Sequence, residues 1–288
     1  MVRLLFAIAL LVTLQTVAQR PVPARADEGP SIGISAHRGA MGQWPENSAR
    51  AFRGSVAAGY DVIEADVQFT KDQVAVMNHE DRLPRRCTQR GRAIHDLTFA
   101  EVRKVRCGGE PLPTLDETIA IVRDSGSELK VDVKAYRGQS RGSQRDYARW
   151  VTTLLVDSGM AGQSSMQTFE WEVMLPVIHA LAPGMVVTAL DSRPSRSRAR
   201  AAARLDAHTY AMDLANASVP LLQYAKAQGL RVGLWSLRSR ADLKFAIDMG
   251  VNPVSSDRPE VLRERLATLV TARQLEPCVA AEGAAATR

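Results

Sequence analysis

Two histidines, three carboxylates, a lysine and an arginine punctuate the apolar segments of this chain at spacings that could do chemistry. His37-Arg38-Gly39 closes the short apolar run 32–36, and His79 directly follows VAVMN (74–78). Glu64 and Asp66 sit two apart in VIEADVQFT (62–70), and Asp132 and Lys134 repeat that spacing in LKVDVK (129–134). Residues two apart in a strand face the same side. Two carboxylates on one inward face would repel each other and be costly to bury. A divalent cation resolves both problems, and oxygen-only ligands suit a hard ion, Mg²⁺ or Ca²⁺, better than Zn²⁺. Glu64, Asp66 and Asp132 are therefore the candidate metal ligands. Arg38 and Lys134 are candidate phosphate contacts. His37 and His79 form a candidate acid/base pair, because imidazole titrates near neutral pH. Such a set would hold a phosphate whose charge rises in the transition state. Taken singly, each feature has a plainer reading: a hydrogen-bonded structural histidine, an exposed strand face, a cross-strand ion pair. Their joint occurrence at the ends of successive strands is what favours chemistry.

The elements that must position them alternate. Strands are expected at 32–36, 62–70, 74–78, 129–134, 165–169, 185–190, 209–212, 232–237 and 253–257. Helices are expected at 47–58, 97–105, 114–125, 146–158, 171–181, 220–228, 240–249 and 260–273. Lys71-Asp72-Gln73 reads as a hairpin turn, Asn47 or Ser48 as a helix cap, and Thr114 with Glu117 as a capping box. Alternation implies an α/β fold with a parallel sheet and outer helices. About eight short apolar strands, without the glycine-rich turn of a dinucleotide fold, point to a closed (β/α)8 TIM barrel. Barrel active sites are built at the C-terminal strand ends, where these polar residues fall. The long interruption, about 80–113, reads as an insertion after the second or third strand segment, and loops of that length usually carry function.

The chain has 288 residues, 45% of them hydrophobic and 24% charged, which is ordinary globular usage. Arg3, the apolar run Leu4–Ala18 and the Ala24-Arg25-Ala26 site together have the form of a cleavable secretory signal peptide over 1–26. The apolar run is short for a membrane span. Export implies a secreted protein in an oxidising compartment, where Cys87 and Cys107, twenty residues apart, are expected to form a disulfide. Cys278 lies in the tail 274–288, which has no helical or strand period. The catalytic domain is placed at 27–273. Removing 1–26 lowers the net charge from +6 to +3. Much of the surplus lies in RPSRSRARAAAR (193–204), read as a solvated arginine-rich loop and helix start. With no aromatic or groove-reading partners it gives no reason to expect nucleic-acid binding, and at most weak attraction to anionic membrane surfaces.

The segments HRGAMGQWPENSARAF (37–52), GYDVIEADVQFTKDQVAVMNHED (59–81), PLPTLDETI (111–119) and LKVDVK (129–134) resemble the glycerophosphodiester phosphodiesterase family, with weaker likeness in RVGLWSL (231–237) and VNPVSSDRPEVL (251–262). The resemblance implies a (β/α)8 barrel with a small insertion after the strand carrying His79. It implies hydrolysis of glycerophosphodiesters to sn-glycerol 3-phosphate and an alcohol. His37 and His79 become the acid/base pair, Glu64 and Asp66 metal ligands, and Arg38 and Lys134 phosphate contacts. Trp235 matches a family aromatic that could pack on glycerol. Asp132 stands where the family usually has Glu, so the metal must sit closer or accept an intervening water. The sphingomyelinase D and phospholipase D branch has Asp there, which keeps a lipid-directed activity open. That activity would need an apolar rim, for which MGQW (41–44) is the candidate. The family often reads His-Asp where this chain has His79-Glu80, and Asp81 is a candidate to take over part of that role. His95, His179 and His208 match no family motif and read as surface or structural. A non-catalytic barrel binding phosphorylated ligands is a third reading, disfavoured by retention of both histidines, two carboxylates, Arg38 and Lys134.

Overall fold

The apolar, β-branched runs become strands in a computed structural model of the protein, which describes residues 33–252 and 254–269. The signal-peptide expectation and Cys278 lie outside the described residues. In chain order the strands are β1 (Ile34–Ala36), β2 (Val62–Phe69), β3 (Ala75–Met77), β4 (Glu128–Val133), β5 (Ser164–Thr168), β6 (Val186–Asp191), β7 (Thr209–Asp213), β8 (Arg231–Trp235) and β9 (Val254–Ser256). They run in the order β1-β9-β8-β7-β6-β5-β4-β2-β3, and β1 also pairs with β2. That last pairing, Ser35 with Val62 and Ala36 with Ile63, closes eight parallel strands into the expected barrel. β3 folds back antiparallel on β2 through the 71–73 turn and stays outside the ring.

Eight helices lie between the strands: α1 (Ala49–Ala57), α2 (Phe99–Val102), α3 (Leu115–Val122), α4 (Arg141–Asp157), α5 (Trp171–Leu181), α6 (Arg196–Arg204), α7 (Val219–Ala227) and α8 (Arg240–Asp248). A further helical segment covers 259–269. Ser48 caps α1 by accepting from the Ala51 N–H, and Thr114 and Glu117 close the capping box of α3. Asn47, the alternative cap, takes a positive φ of 53° and turns toward the site. The main core lies between the barrel and its helices and holds Phe52, Ile63, Leu129, Trp171 and Tyr210.

The insertion has a core of its own: Leu83, Ile94, Leu97, Val102, Val105 and Leu112, with Val76 of β3, pack around the Cys87–Cys107 disulfide as a separate apolar cluster. These residues recur irregularly along a segment with one 3-10 turn at Ile94–Asp96 and one turn of α-helix, α2, so no strand or helix pattern announces them. Of the MGQW segment, the candidate apolar rim, Met41 lines the main cavity but Trp44 does not. Trp44 is half-buried and its indole lies over Gly54 of α1, where an added Cβ would come within 2.5 Å of it. The arginine-rich segment is only partly solvated: Arg198 donates to Asp191 at 2.5 Å and lies over the Trp171 ring.

Candidate active site

At the C-terminal end of β1 the chain leaves the strand through three consecutive left-handed residues, Arg38 (φ 51°), Gly39 (φ 72°) and Ala40 (φ 64°). Non-glycine residues pay steric strain there, and such strain gathers at functional sites. Gly39 is required for a second reason: a Cβ on it would lie 2.9 Å from that of Ala51. The turn aims the Arg38 backbone N–H at Glu64 Oε2, 2.6 Å away, and presents the His37 ring and Arg38 side chain to a cavity of about 760 Å³. Glu64, His79, Asp132, Lys134 and Trp235 line the same cavity.

The parallel register sets Asp66 beside Asp132. With Glu64 they form an acidic cluster that offers one oxygen each within 4.8 Å of one another, all three being buried. Burial, Asp66 and Asp132 push Glu64 up to about 8. Burial also disfavours the Asp66 charge, but Lys134, His79, Arg38 and the Asn47 hydrogen bond outweigh it and hold Asp66 below the usual carboxylate range. Burial pushes Asp132 up against the pull of Lys134. The fit to a cation rests on acceptor capacity left over. Asp132 Oδ1 is buried and accepts no hydrogen bond, and Asp66 Oδ1 has only the ion pair with Lys134 Nζ at 3.0 Å. Buried acceptors without partners are rare and need an explanation, and carboxylate oxygens are what Mg²⁺ and Ca²⁺ take. The residues present therefore fit a hard divalent ion, with Glu64, Asp66 and Asp132 as its ligands.

The polar shell around this cluster is fixed from several elements. Asn47 donates to Asp66 Oδ2 at 2.7 Å and accepts from the Asp66 N–H at 3.0 Å. Gln167 of β5 donates to Asp132 Oδ2 at 3.2 Å and reaches Glu64 Oε1 at 3.4 Å. Lys134 Nζ lies 2.6 Å from Asp132 Oδ2 and 3.0 Å from Asp66 Oδ1, so its ammonium is a counter-charge to the cluster as well as part of the cavity wall. Arg38 Nη1 donates to Glu46 Oε2 at 2.6 Å, and its Nε is 3.6 Å from Asp66 Oδ2.

Each candidate histidine is held by a carboxylate. His37 Nδ1 lies 2.5 Å from Asp257 Oδ1, directly after β9, and His79 Nδ1 lies 2.8 Å from Glu80 Oε1. A carboxylate accepts, so Nδ1 carries the proton and Nε2 is left to face a reactant. Burial works against charging His37, but Asp257, Glu64 and Asp66 together raise its pKa above the ordinary imidazole value. Asp257 is in turn held below the usual range by that hydrogen bond. Asp81, expected to assist His79, does not. It binds His95 Nδ1 at 2.6 Å, and the His95 ring stacks on Tyr136 at 4.0 Å, a structural role. A one-residue difference in a tight turn reverses which acid faces the ring, and spacing alone does not show that. Trp235 lines the cavity and meets Phe169 edge-on at 6.0 Å.

Sequence reasoning missed Asp257, Glu46, Asn47 and Gln167 as parts of the site. Asp257 carried a usable signal, a polar residue at a strand end like the others. Gln167 sits one strand over from Asp132 in register. Asp257→Asn is expected to lower kcat about 10- to 100-fold by loosening the His37 ring and its tautomer. Removing the carboxylate that raises the His37 pKa also moves the corresponding limb of the pH–rate profile to lower pH. A rate profile of the variant checks both, and an unmoved limb rules out the dyad.

The family model described as "Glycerophosphoryl diester phosphodiesterase family" matches residues 37–261. The chain belongs to that family. A glycerophosphodiester phosphodiesterase from Caldanaerobacter subterraneus subsp. tengcongensis is 25% identical over 237 residues, covering 80% of this chain and 95% of that protein. Two solved structures share the fold of these phosphoric diester hydrolases. A glycerophosphodiester phosphodiesterase from Parabacteroides distasonis superposes with a TM-score of 0.73 at 22% identity, covering 83% of this chain and 98% of the other. An Oleispira antarctica phosphodiesterase, solved in complex with the product sn-glycerol-3-phosphate, gives 0.71 at 21% identity, covering 82% and 96%.

Proposed function

We propose that this glycerophosphodiester phosphodiesterase family member is an exported enzyme that hydrolyses small glycerophosphodiesters to sn-glycerol 3-phosphate and an alcohol, using His37 and His79 as its acid/base pair. The observation that carries the reading is a single cavity lined by two carboxylate-held imidazoles, Glu64 and Asp132 of the buried acidic cluster, and the cations Arg38 and Lys134. The phosphate would sit against Arg38 and Lys134, and Glu64, Asp66 and Asp132 would hold Mg²⁺ or Ca²⁺. When bound, that ion supplies positive charge where the phosphoryl oxygens gain negative charge. The glycerol hydroxyl next to the phosphate attacks phosphorus as one histidine takes its proton. The other histidine protonates the departing alcohol oxygen as its bond to phosphorus breaks. Water then opens the cyclic phosphate with the proton roles reversed. Trp235 and Phe169 pack against the substrate's carbon skeleton.

The test is turnover of glycerophosphocholine with Mg²⁺, with Ca²⁺ and with EDTA. Release of sn-glycerol 3-phosphate with either ion, abolished by EDTA, supports the reading. Activity confined to lysophospholipid or sphingomyelin points instead to the lipid-directed branch. Within 41–44 that alternative has only Met41 at the cavity, since Trp44 packs on α1. Binding of phosphorylated ligands without turnover marks a non-catalytic barrel.

A further inference from the structure

The insertion reaches the active site through one side chain. Arg86 lies at the surface, its side chain 30% exposed, and its Nη1 is paired with Glu46 Oε1. The other Glu46 oxygen accepts from Arg38 Nη1 at 2.6 Å. Glu46 is thus a bridge between two guanidiniums, with its side chain 13% exposed. Arg38 depends on that bridge. Its buried Nε has no hydrogen-bond partner, and Asp66, at 3.6 Å, is in electrostatic range only. Among the described residues the Arg38 side chain has one hydrogen bond, the one to Glu46.

The backbone of Arg86 is itself fixed. Its carbonyl accepts from the Gly108 N–H at 3.3 Å. The next residue, Cys87, is bonded to Cys107, and Thr88 and Arg106 are joined at 2.8 and 2.9 Å. Gly108 packs against the Pro45 ring, so closely that a Cβ on it would lie 3.1 Å from Pro45. Glu110 pairs with Arg50 of α1 at 2.8 Å. The disulfide segment therefore grips the 45–50 turn from which Glu46 and Asn47 project.

We propose that Arg86 is a positioning residue that orients the phosphate-binding Arg38 through Glu46, and that the Cys87–Cys107 disulfide holds Arg86 in place to do so. This rests on the reading of Arg38 as a phosphate contact. A guanidinium held by one hydrogen bond loses its orientation when its acceptor is freed, and a misdirected cation weakens binding of the phosphate in ground and transition states alike. Uniform loss of binding appears in KM with kcat preserved. A half-exposed ion pair that merely held two loops together would contribute little to stability and nothing to KM.

The experiment is steady-state kinetics on the mature protein with glycerophosphocholine, with thermal unfolding recorded for each variant. Arg86→Ala is expected to raise KM about tenfold while kcat changes less than about threefold. Arg86→Lys restores part of the loss, because an ammonium can reach one Glu46 oxygen without the planar fork. Arg86→Gln carries the same expectation as Arg86→Ala and is read if the alanine variant does not fold. Cys87→Ser/Cys107→Ser, or reduction of the wild type, raises KM to a similar degree, and adding Arg86→Ala brings little further loss because the two act on one chain of contacts. An unchanged KM in Arg86→Ala, or losses that simply add, overturns the proposal. If the wild type does not turn over glycerophosphocholine, titration of sn-glycerol 3-phosphate replaces the assay. About tenfold weaker binding by Arg86→Ala then supports the proposal, while equal affinity, or no binding by the wild type, overturns it.

Discussion

Replacing His37 by alanine is expected to lower kcat on a glycerophosphodiester by about three orders of magnitude, within the range for loss of a general acid or base. KM is expected to change little, because the phosphate contacts are on other residues. The His37 ring faces the cavity, its Nδ1 is held by Asp257, and Nε2 is left toward the reactant. Fold and stability are expected to persist, since the Asp257 side chain freed by the substitution is 36% exposed and can be hydrated. His79→Ala carries the same expectation. The double variant should be little worse than either single one, because groups that act in one proton relay are not additive. Steady-state kinetics on the three variants beside unfolding curves check this. Full activity in either single variant removes the acid/base assignment.

The second large effect is on the acidic cluster. Mg²⁺ or Ca²⁺ at about one hundred times its Kd is expected to stabilise the protein by about 2.7 kcal/mol. At about 2–4 °C per kcal/mol for a domain of this size, that is a rise in Tm of several degrees. Glu64→Gln and Asp132→Ala should abolish the rise, and EDTA should reverse it and stop turnover. The pH dependence has a definite sign. Glu64 is raised from its ordinary value to about 8 by burial and its acidic neighbours. A carboxyl with a raised folded-state pKa favours the native state below its unfolded pKa, and that contribution is lost as pH rises through the folded value. Without cation, stability therefore falls between about pH 4.5 and 8 on account of Glu64. With cation, proton and metal compete for the same oxygens, so the gain in Tm is larger at pH 8 than at pH 6. Differential scanning fluorimetry at both pH values, with and without each ion, measures it. A cation-independent Tm at both values sinks the metal site.

Much of this fold was legible because the barrel repeats one rule. β2 and β4 read as apolar runs broken by inward polar residues two apart; alternation along β2 sets Glu64 and Asp66 on one face, and the β2–β4 register puts Asp132 next to Asp66. Residues on regular elements follow from period and alternation. What stayed hidden lies on turns. Asn47 read as one of two possible caps, and a positive φ sends it into the site while Ser48 takes the cap. Glu80 and Asp81 are adjacent in sequence but serve different histidines, because the turn after β3 separates their directions. The insertion's core escaped notice for the same reason: its apolar residues converge through the disulfide and tight turns, not through a period. Contacts across 220 residues, as between His37 and Asp257, are carried by ring closure, which no local window contains.

The order of strands around the ring has a consequence for diversification. His37, Arg38, Glu64, Asp66, Asp132 and Lys134 come from β1, β2 and β4 or their ends, and Asp257 from the end of β9, which are neighbours in the ring. The opposing wall, from β6, β7 and β8, lines the cavity with Thr188, Leu190, Thr209, Ala211, Gly233 and Leu234, and only at its rim with an ionisable strand residue, Asp213 at the end of β7. On the proposed mechanism, bond breaking and recognition of the departing group fall to separate sectors of one ring. A mutation among these six uncharged residues reshapes the room for a different alcohol while the histidines, the acidic cluster, Arg38 and Lys134 keep their places, so new substrate ranges are open to this scaffold one substitution at a time.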